Sequence, residues 1–211
     1  MSSVAITGNA AGAGVFTIAS PNSASSFTAT LPAATTTLVG TDATQTLTNK
    51  TLGSGLVAGA SLITSGTAVA STSGTSIDFT GIPSWVKRVT VMINGVSTNG
   101  TSNYLIQIGS GSVTTTGYTS TSQQGGTSAT STAGFIISQG IAAARFNYGL
   151  TTISALGSFT YIASGTLADY TAACAVSGGG VTLAGVLDRV RITTVNGTDT
   201  FDAGTINILY E

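Results

Sequence analysis

The sequence predicts an all-β protein, and three of its features indicate this fold class. Apolar and polar residues alternate in many short runs, which is the pattern of strands with one buried face. Turn residues, including three Asn-Gly dipeptides, interrupt these runs about every 10 to 15 residues. The one stretch that favours a helix, GIAAARF at residues 140–146, is short and has no polar cap. We therefore predict an all-β fold.

Four runs between about residue 74 and the end of the chain show the alternation most clearly. The side chains expected to share one face are Val89, Val91 and Ile93 in the first run, Tyr104, Ile106 and Ile108 in the second, Asp188, Val190 and Ile192 in the third, and Ile206, Ile208 and Tyr210 in the last. Leu105 and Gln107 are expected on the opposite face of the second run. Asn196-Gly197 separates the last two runs, as the turn of a β-hairpin does. With about eight to ten strands, residues 74–211 are predicted to form a jelly-roll-like β-sandwich.

The first 73 residues have a different composition. Residues 1–40 hold four short β-like runs with Pro21 and Pro32 between them, too few to close a sheet that is stable alone, so a partner must complete it. Residues 41–73 are almost entirely Thr, Ser, Gly, Ala and Leu, and their apolar side chains are too sparse for a core. Either this segment is disordered, or several identical chains run side by side around a shared axis, where β-branched Thr fits well.

Charged residues are scarce. Six Lys and Arg residues and seven Asp and Glu residues give a formal net charge of −1. The cations are scattered, so we expect no nucleic-acid binding, which needs clustered Lys or Arg. No apolar run approaches the roughly 18 to 20 residues that cross a bilayer, so we expect no membrane insertion. Low charge suits a shared axis, because like charges from symmetry-related copies repel one another.

The residue types that most catalysis requires are absent or poorly spaced. The chain has no histidine, which excludes a Ser-His-Asp triad and a His-ligated metal site. Asp199 and Asp202 are the nearest carboxylate pair, and with Asn196 they could ligate Ca²⁺, but a turn whose side chains bond the local backbone is the simpler expectation. Cys174, the only cysteine, is expected to be a small buried residue. We predict a protein that is not an enzyme and has no cofactor and no metal site.

Receptor binding is the role that the remaining polar and aromatic residues could serve. Trp85, the only tryptophan, precedes a predicted strand and is either a lid on the core or a platform on which a sugar ring stacks. Tyr118, Gln123 and Gln124 belong to a predicted long polar loop at residues 118–130, and they combine an aromatic face with amides, as glycan recognition does. We predict receptor binding at these four residues through mainly uncharged contacts.

Two segments of the chain resemble parts of bacteriophage tail-fibre and fibre-like virion proteins. TLVGTDATQTLTNKTL, at residues 37–52, resembles a Thr-rich segment that recurs in those proteins. GTSIDFTGIPSWVKRVTVMINGVSTNGTSNYLIQIGSG, at residues 74–111, is similar to the start of a distal domain of fibre-like proteins, and GYTSTSQQ continues it. Together these segments cover about half of the chain. The chain lacks the Gly-X-Y shaft and the long repeat array of longer fibres.

The resemblance implies a homotrimeric fibre on the outside of a phage particle, assembled in the host cytoplasm. Residues 1–40 would attach it to a tail, baseplate or capsid protein, and residues 41–73 would form an intertwined connector or short shaft. Residues 74–211 would form the distal knob, which binds a host surface glycan or protein. The alternative is a head fibre or a capsid or tail decoration with only a structural role. A glycan-degrading tailspike is the third interpretation.

Overall fold

A computed structural model describes residues 63–211 except 144 and 172, together with residues 11, 12, 24 and 26. Residues 63–211 lie within one compact unit. The described residues contain strands, turns and bends but no helix, which confirms the all-β prediction for this part of the chain. The predictions for residues 1–40 and for most of the connector lie outside the described residues.

The strands of the described residues are β1 (Thr64–Ser65), β2 (Val69–Ala70), β3 (Ile77–Thr80), β4 (Arg88–Thr98), β5 (Tyr104–Ser110), β6 (Ser112–Val113), β7 (Thr119–Gln124), β8 (Thr127–Ser131), β9 (Phe135–Ile136), β10 (Asn147–Gly157), β11 (Thr160–Asp169), β12 (Cys174–Thr182), β13 (Arg189–Thr194) and β14 (Phe201–Tyr210). β1 and β2 fall in the segment that we predicted to be a connector. Both pair with β14, so the end of that segment is part of the β domain.

These strands form two antiparallel sheets. The order in the larger sheet is β1-β14-β4-β10-β11-β12-β7-β8, and β2 also pairs with β14. The order in the smaller sheet is β3-β13-β5-β6, and β9 pairs with β5. The chain crosses between the sheets repeatedly, for example from β3 to β4, from β4 to β5 and from β13 to β14. The sheets are therefore interleaved in sequence and bury their inner faces against each other.

The inner faces of the two sheets share one hydrophobic core. The larger sheet contributes Val89, Val91, Ile93, Ile153, Leu167, Ile206 and Ile208, and the smaller sheet contributes Tyr104, Ile106, Ile108, Val190 and Ile192. The predicted alternation is thus confirmed in all four runs, although Asp188 lies just before β13 and outside the core. Burial of alternate β-branched side chains is the main stabilising force for such strands.

β5 is buried on both of its faces. Leu105 and Gln107, which we predicted on the face opposite Tyr104, Ile106 and Ile108, have exposed fractions of 1% and 7%. A Cβ atom on Gly134 would lie 3.4 Å from Leu105 and 3.0 Å from Gln107, so the segment before β9 covers this face. The amide of Gln107 donates a hydrogen bond of 2.9 Å to the carbonyl of Ala133. A local pattern cannot reveal this cover, because the covering segment is remote in sequence.

We predicted that the Asn196-Gly197 turn closes a hairpin, but the structure shows that it does not. β13 pairs with β3 and β5 in the smaller sheet, whereas β14 pairs with β4 in the larger one. Gly197 has a φ of 67°, and its N–H donates to the carbonyl of Thr194, so the turn itself forms as the sequence predicts. The strands that leave the turn separate because each finds its hydrogen-bond partners in a different sheet.

The predicted long loop at residues 118–130 is a β-hairpin made of β7 and β8. Gly125 and Gly126 form its turn with φ values of 57° and 85°, the left-handed conformation that a two-residue hairpin turn requires. The hydroxyl of Thr127 donates a 2.8 Å hydrogen bond to the carbonyl of Gln124 and closes the turn. A Gly-Gly pair between two β-branched runs was the signal that the sequence prediction overlooked.

The prediction that Cys174 is buried was also wrong. Cys174 is the first residue of β12 and is exposed, as is Val176 two residues later. The alternate residues of the strand, Ala175 and Ser177, are buried. Cysteine is small and often buried, but inward and outward side chains alternate along β12, and Cys174 occupies an outward position.

The two ends of the larger sheet can be distinguished by register. At one end Tyr210 pairs with Thr64 and with Val89, and we call this the Tyr210 end. β1 and β2 run from Tyr210 toward Thr205, so the described chain enters the β domain at the Tyr210 end.

At the opposite end Asn147 pairs with Val96 and with Asp169. Tyr170 follows Asp169 in the turn between β11 and β12, and we call this the Tyr170 end. The turn between β7 and β8 lies at the same end, because Gln123 pairs with Val176 near the start of β12.

Candidate binding surface

The four residues predicted to bind a receptor do not come together. Trp85 lies at the Tyr210 end of the larger sheet, where its ring is 6.0 Å from the ring of Tyr210. Gln123 and Gln124 lie at the Tyr170 end, at the end of β7. Tyr118 is in the interior, with an exposed fraction of 2%. The structure therefore separates Trp85 from the predicted site at residues 118–130, and it separates Tyr118 from Gln123 and Gln124 by burial.

Tyr118 is a core residue, and this corrects the prediction that its ring faces a ligand. Its hydroxyl accepts a 2.8 Å hydrogen bond from the N–H of Ile108 and lies 3.1 Å from the carbonyl of Thr114. Its ring meets that of Phe135 edge-on, with centroids 5.0 Å apart. Burial raises the pKa of the phenol to about 12, against a smaller opposing effect of the hydrogen bond with Ile108. Tyr118 thus stabilises the domain and cannot contact a ligand.

Trp85 is half-exposed, at 54%, so it is not a lid closed over the core. It borders an open cavity of about 520 Å³ that Lys87, Arg88, Ser154 and Glu211 also line. Arg88 and Glu211 form an ion pair there. This arrangement offers a ring face and hydrogen-bonding groups, as a sugar-stacking platform requires, but it stands at the end where the chain enters the domain.

An exposed aromatic pair lies at the Tyr170 end. Tyr170 and Phe146 have exposed fractions of 68% and 43%, and their ring centroids are 6.4 Å apart. Tyr148, two residues after Phe146, is 46% exposed. Phe146 precedes β10 and Tyr170 follows β11, and these strands pair from Asn147 and Asp169 onward. The register of the two strands therefore brings the rings together.

An ion pair holds the two segments that carry this aromatic pair. Nη1 of Arg145 lies 2.8 Å from Oδ2 of Asp169, whose side chain is 5% exposed. Oδ1 of Asp169 accepts hydrogen bonds from the N–H and the hydroxyl of Thr171, at 2.8 and 2.6 Å. Burial alone would raise the pKa of Asp169, but the hydrogen bonds from Thr171, Ala173 and Arg145 together lower it. The carboxylate is therefore charged at neutral pH and orders the turn.

Asn147 fixes the base of the same surface. Its side chain is 3% exposed, and its Nδ2 lies 2.7 Å from the carbonyl of Arg145 and 3.2 Å from that of Val96. The same nitrogen is 3.3 Å from the hydroxyl of Tyr104, a core residue whose ring stacks on Phe201. Burial raises the pKa of Tyr104 to about 12, although hydrogen bonds with side chains lower it in part. The loop before β10 is thus tied to the core.

The carboxylates that we considered for metal binding or catalysis accept hydrogen bonds mainly from a segment that is remote in sequence. Asp199 accepts from the N–H of Ser102 at 2.9 Å and from Nδ2 of Asn196 at 2.6 Å. Asp202 is hydrogen-bonded to the hydroxyl of Ser97. Among the described residues no group of three or more His, Cys, Asp or Glu side chains could hold a metal ion. Asn196 bonds the local backbone as expected, since its Oδ1 accepts hydrogen bonds from the N–H groups of Thr198 and Asp199, whereas Asp199 connects the turn to the remote Ser102.

The arginines of the described residues are all paired with carboxylates. The pairs are Arg88 with Glu211, Arg145 with Asp169, Arg189 with Asp188, and Arg191 with Asp78. Each guanidinium therefore already has a counter-charge, which weakens the field that it presents to an anionic ligand. At the Tyr170 end, the exposed uncharged groups include the aromatic pair and the side chain of Gln123.

Phe146 and Tyr170 were missed by the sequence analysis. Each lies in a short polar segment next to a strand, RFNYG for Phe146 and LADYTA for Tyr170. An aromatic side chain outside a strand, beside residues that form turns, is a signal that could have identified them. Their proximity to each other could not have been predicted, because it depends on the pairing of β10 with β11.

No helix within the described ranges is long and apolar enough to cross a membrane. No protein-family model, curated protein or solved structure gives a significant match to this chain.

Proposed function

We propose that this chain is the subunit of a short homotrimeric tail fibre on a bacteriophage particle, and that its C-terminal domain binds the host cell surface. In this proposal residues 1–40 attach the fibre to a tail, baseplate or capsid protein, and residues 41–73 connect them to the distal domain. Residues 74–211, joined by β1 and β2 from the end of the connector, form a jelly-roll-like sandwich that is exposed on the outside of the particle. The resemblance of residues 37–52 and 74–111 to fibre-like proteins supports this role.

The polarity of the β domain is the observation that carries the proposal. The chain enters at the Tyr210 end, where Thr64 pairs with Tyr210. In a fibre that is attached through its N-terminal region, this end faces the particle and the opposite end faces the host. The exposed pair of Phe146 and Tyr170 lies at that opposite end. An aromatic surface held by the ion pair between Arg145 and Asp169 is therefore where a receptor would be met.

The chemistry of this end favours a neutral ligand such as a surface glycan. Exposed aromatic faces stack against the apolar faces of sugar rings, and amides bind their hydroxyls. Gln123 and Gln124 end β7 at this same end, so they remain part of the proposed site. Arg145, the nearest cation, is engaged by Asp169, so attraction to anionic polymers contributes little.

The test compares two exposed aromatic positions at opposite ends of the domain. We expect a Phe146→Ala, Tyr170→Ala double variant to lose at least about tenfold in its ability to compete with the phage for host cells. The matched control, Trp85→Ala, also removes an exposed ring but at the Tyr210 end, and should compete normally. Melting curves must show that both variants fold.

Other results would change the interpretation. If Trp85→Ala abolishes competition and the double variant does not, the site lies at the Tyr210 end and the proposed polarity is wrong. If the wild-type protein does not compete at all but particles lacking it lose stability, a decoration with a structural role replaces the proposal. Release of sugars from purified host polysaccharide would instead indicate a tailspike.

A further inference from the structure

The outer face of the larger sheet exposes apolar side chains at its centre. Leu150 on β10, Ile162 on β11 and Val176 on β12 have exposed fractions of 49%, 48% and 59%. Strand register places Leu150 opposite Thr166 and Thr166 opposite Val176, so Leu150 and Val176 lie in one row across the sheet with a threonine between them. Ile162 lies four residues from Thr166 along β11, opposite Ser154 and Gly180. We define the outer face as the outward side chains of β10, β11, β12 and β7. Several exposed apolar side chains on one face of a sheet are a feature of interaction sites in soluble proteins.

The outer face has almost no charge. Asp169 is the one charged residue in β7, β8, β10, β11 and β12, all of whose residues the structure describes, and its side chain is buried against Arg145. Beside β10, Leu150 pairs with Met92 of β4 and lines a cavity with Arg88 and Glu211, whose charges form an ion pair with each other. A second copy of this face can therefore approach it without repulsion between like charges.

Two glycines keep the outer face flat although the fold of the single chain does not require them. A Cβ atom on Gly178 or on Gly180 would meet nothing closer than a carbonyl oxygen at 3.6 or 3.7 Å, which is ordinary contact. Gly179, between them, differs because its Cβ would lie 2.6 Å from the carbonyl oxygen of Thr119. Packing within the chain thus accounts for Gly179 but not for its two neighbours. Their flat surface, next to Val176, suits close approach of another backbone.

We infer that the outer face is where the C-terminal domains of identical chains pack on one another. The inference rests on the proposed homotrimer and names the surface that holds its distal domains together. The side chains of Leu150 and Ile162 project from the outer face, and the surface at Gly178 and Gly180 is flat. One copy therefore has both the projecting side chains and the flat surface on which those of another copy could pack. Phe146 and Tyr170 then lie at the rim of the interface, at the end that meets the host.

The area of the outer face can be compared with the area that a trimer requires. Four strands at a spacing of about 4.8 Å and about eight residues at about 3.4 Å each cover roughly 20 by 27 Å, or on the order of 500 Å². Side-chain relief raises the accessible area above this flat value. A stable interface uses about 800 Å² from each partner. Each chain of a trimer forms two interfaces, so the outer face supplies only part of the area, and other parts of the chain supply the rest.

The test uses the full chain and two matched valine variants. Val176→Glu places a carboxylate in the centre of the outer face, whereas Val195→Glu places one at a site that is 52% exposed in the loop after β13. We expect the dissociation constant of the oligomer, measured by sedimentation, to rise at least about tenfold for Val176→Glu and not for Val195→Glu. Gly178→Arg is a second variant of opposite charge that should act like Val176→Glu, and melting curves verify folding of all three.

Cys174 gives a second readout that needs no substitution. Its thiol is on the outer face, two residues from Val176, so its rate of alkylation reports whether the face is covered. We expect slow alkylation in the wild-type oligomer and at least about tenfold faster alkylation in Val176→Glu.

Three results would overturn the inference. The first is an oligomer in which the Cys174 thiol is alkylated rapidly and in which the Val176→Glu variant has the same oligomeric mass as wild type. This result would show that the chains associate through another surface, and the proposed trimer would stand. A monomer with a slowly alkylated thiol would show that the N-terminal part of its own chain covers the face. A monomer with a rapidly alkylated thiol would show that the face is free, and both monomer results would also remove the trimer from the proposed function. Host competition is measured separately, so failure of receptor binding would leave this inference intact.

Discussion

The hydroxyl of Tyr118 accepts a hydrogen bond of 2.8 Å from the backbone N–H of Ile108, in the middle of β5. A buried N–H without a partner is costly, so this contact satisfies a group that the sheet leaves unpaired. Tyr118 is therefore part of the architecture of the smaller sheet, whereas its sequence context had indicated a recognition loop. The hydrogen bond therefore assigns Tyr118 to the residues that stabilise the domain.

Tyr118→Phe should destabilise the domain without affecting receptor binding. The ring and its contact with Phe135 remain, but the N–H of Ile108 loses its acceptor, and we expect the free energy of unfolding to fall by about 1–3 kcal/mol. Urea denaturation measures the change. Gln123→Ala, on an exposed position of β7, is the control and should shift stability by less than about 0.5 kcal/mol. Equal stability of Tyr118→Phe and wild type would contradict the role that we assign to the hydroxyl.

Stability should fall when the solution becomes strongly alkaline. Burial raises the pKa of Tyr104 and of Tyr118 to about 12, above the ordinary value of a tyrosine near 10. Because the raised pKa belongs to the folded state, the stabilising contribution is complete below about pH 10 and is lost as the pH rises toward about 12. Melting temperatures across this range test it, and the decline should be shallower in Tyr118→Phe. Ionisation of all tyrosines with no change in the melting temperature would refute the argument.

The ion pair between Arg145 and Asp169 should contribute more stability than the exposed pair between Arg191 and Asp78. Asp169 is almost fully buried and its pKa is lowered, so its contribution is present above the ordinary carboxylate pKa near 4 and is lost as the pH falls below it. We expect Asp169→Asn to lower the free energy of unfolding at neutral pH by about 1–3 kcal/mol. Asp78→Asn, in a pair that is more than a third exposed, should cost less than about 1 kcal/mol.

Acid denaturation provides the check on that comparison. As the pH falls below about 4, wild type and Asp169→Asn should converge in stability, because the native carboxylate becomes protonated. A constant difference down to the lowest pH would mean that the charge of Asp169 is not what stabilises the turn.

Receptor binding should depend weakly on salt. The four described arginines are already paired with carboxylates, and the proposed contacts are aromatic rings and amides. Between about 50 and 500 mM NaCl we expect host adsorption to change less than about twofold, since screening acts mainly on unpaired exposed charges. Adsorption that collapses over this range would show that charge attraction supplies the binding energy.

Neighbouring glycines of β12 should respond differently to the same substitution. Gly179→Ala introduces a Cβ atom about 2.6 Å from the backbone oxygen of Thr119, and we expect a loss of about 1–3 kcal/mol in unfolding free energy. Gly178→Ala meets only ordinary contact and should leave the stability of the single chain unchanged or slightly higher. Thermal unfolding of the two variants under one set of conditions compares them directly. A larger loss for Gly178→Ala would mean that the outer face is already packed against something.

Much of the fold could be predicted because strand periodicity is local. Val89, Val91 and Ile93 were assigned to one face from their spacing alone, and all three are in the core. The Asn196-Gly197 turn also forms, since its geometry depends on two residues. The prediction that this turn closes a hairpin was wrong, because pairing depends on which remote strand offers free backbone groups.

The candidate site was much harder to predict than the fold. Tyr118 and Tyr170 are both tyrosines beside polar residues, and nothing in their immediate sequence says that one is 2% and the other 68% exposed. Exposure depends on whether a segment from elsewhere covers the ring. For Tyr118 that cover includes Phe135 and β5, whereas Tyr170 stands in a turn at the end of the sheet.

The sequence by itself determined the all-β class, the inward and outward faces of the main strands and the scarcity of charge. Each of these follows from residue types and from a period of two, which neighbouring residues establish without reference to the rest of the chain. Only the tertiary structure decided that Phe146 meets Tyr170, that the chain enters at the Tyr210 end, and that Leu150, Ile162 and Val176 share one open face. These relationships arise from the register between strands, and register is fixed by hydrogen bonds and core packing between residues that are distant in sequence.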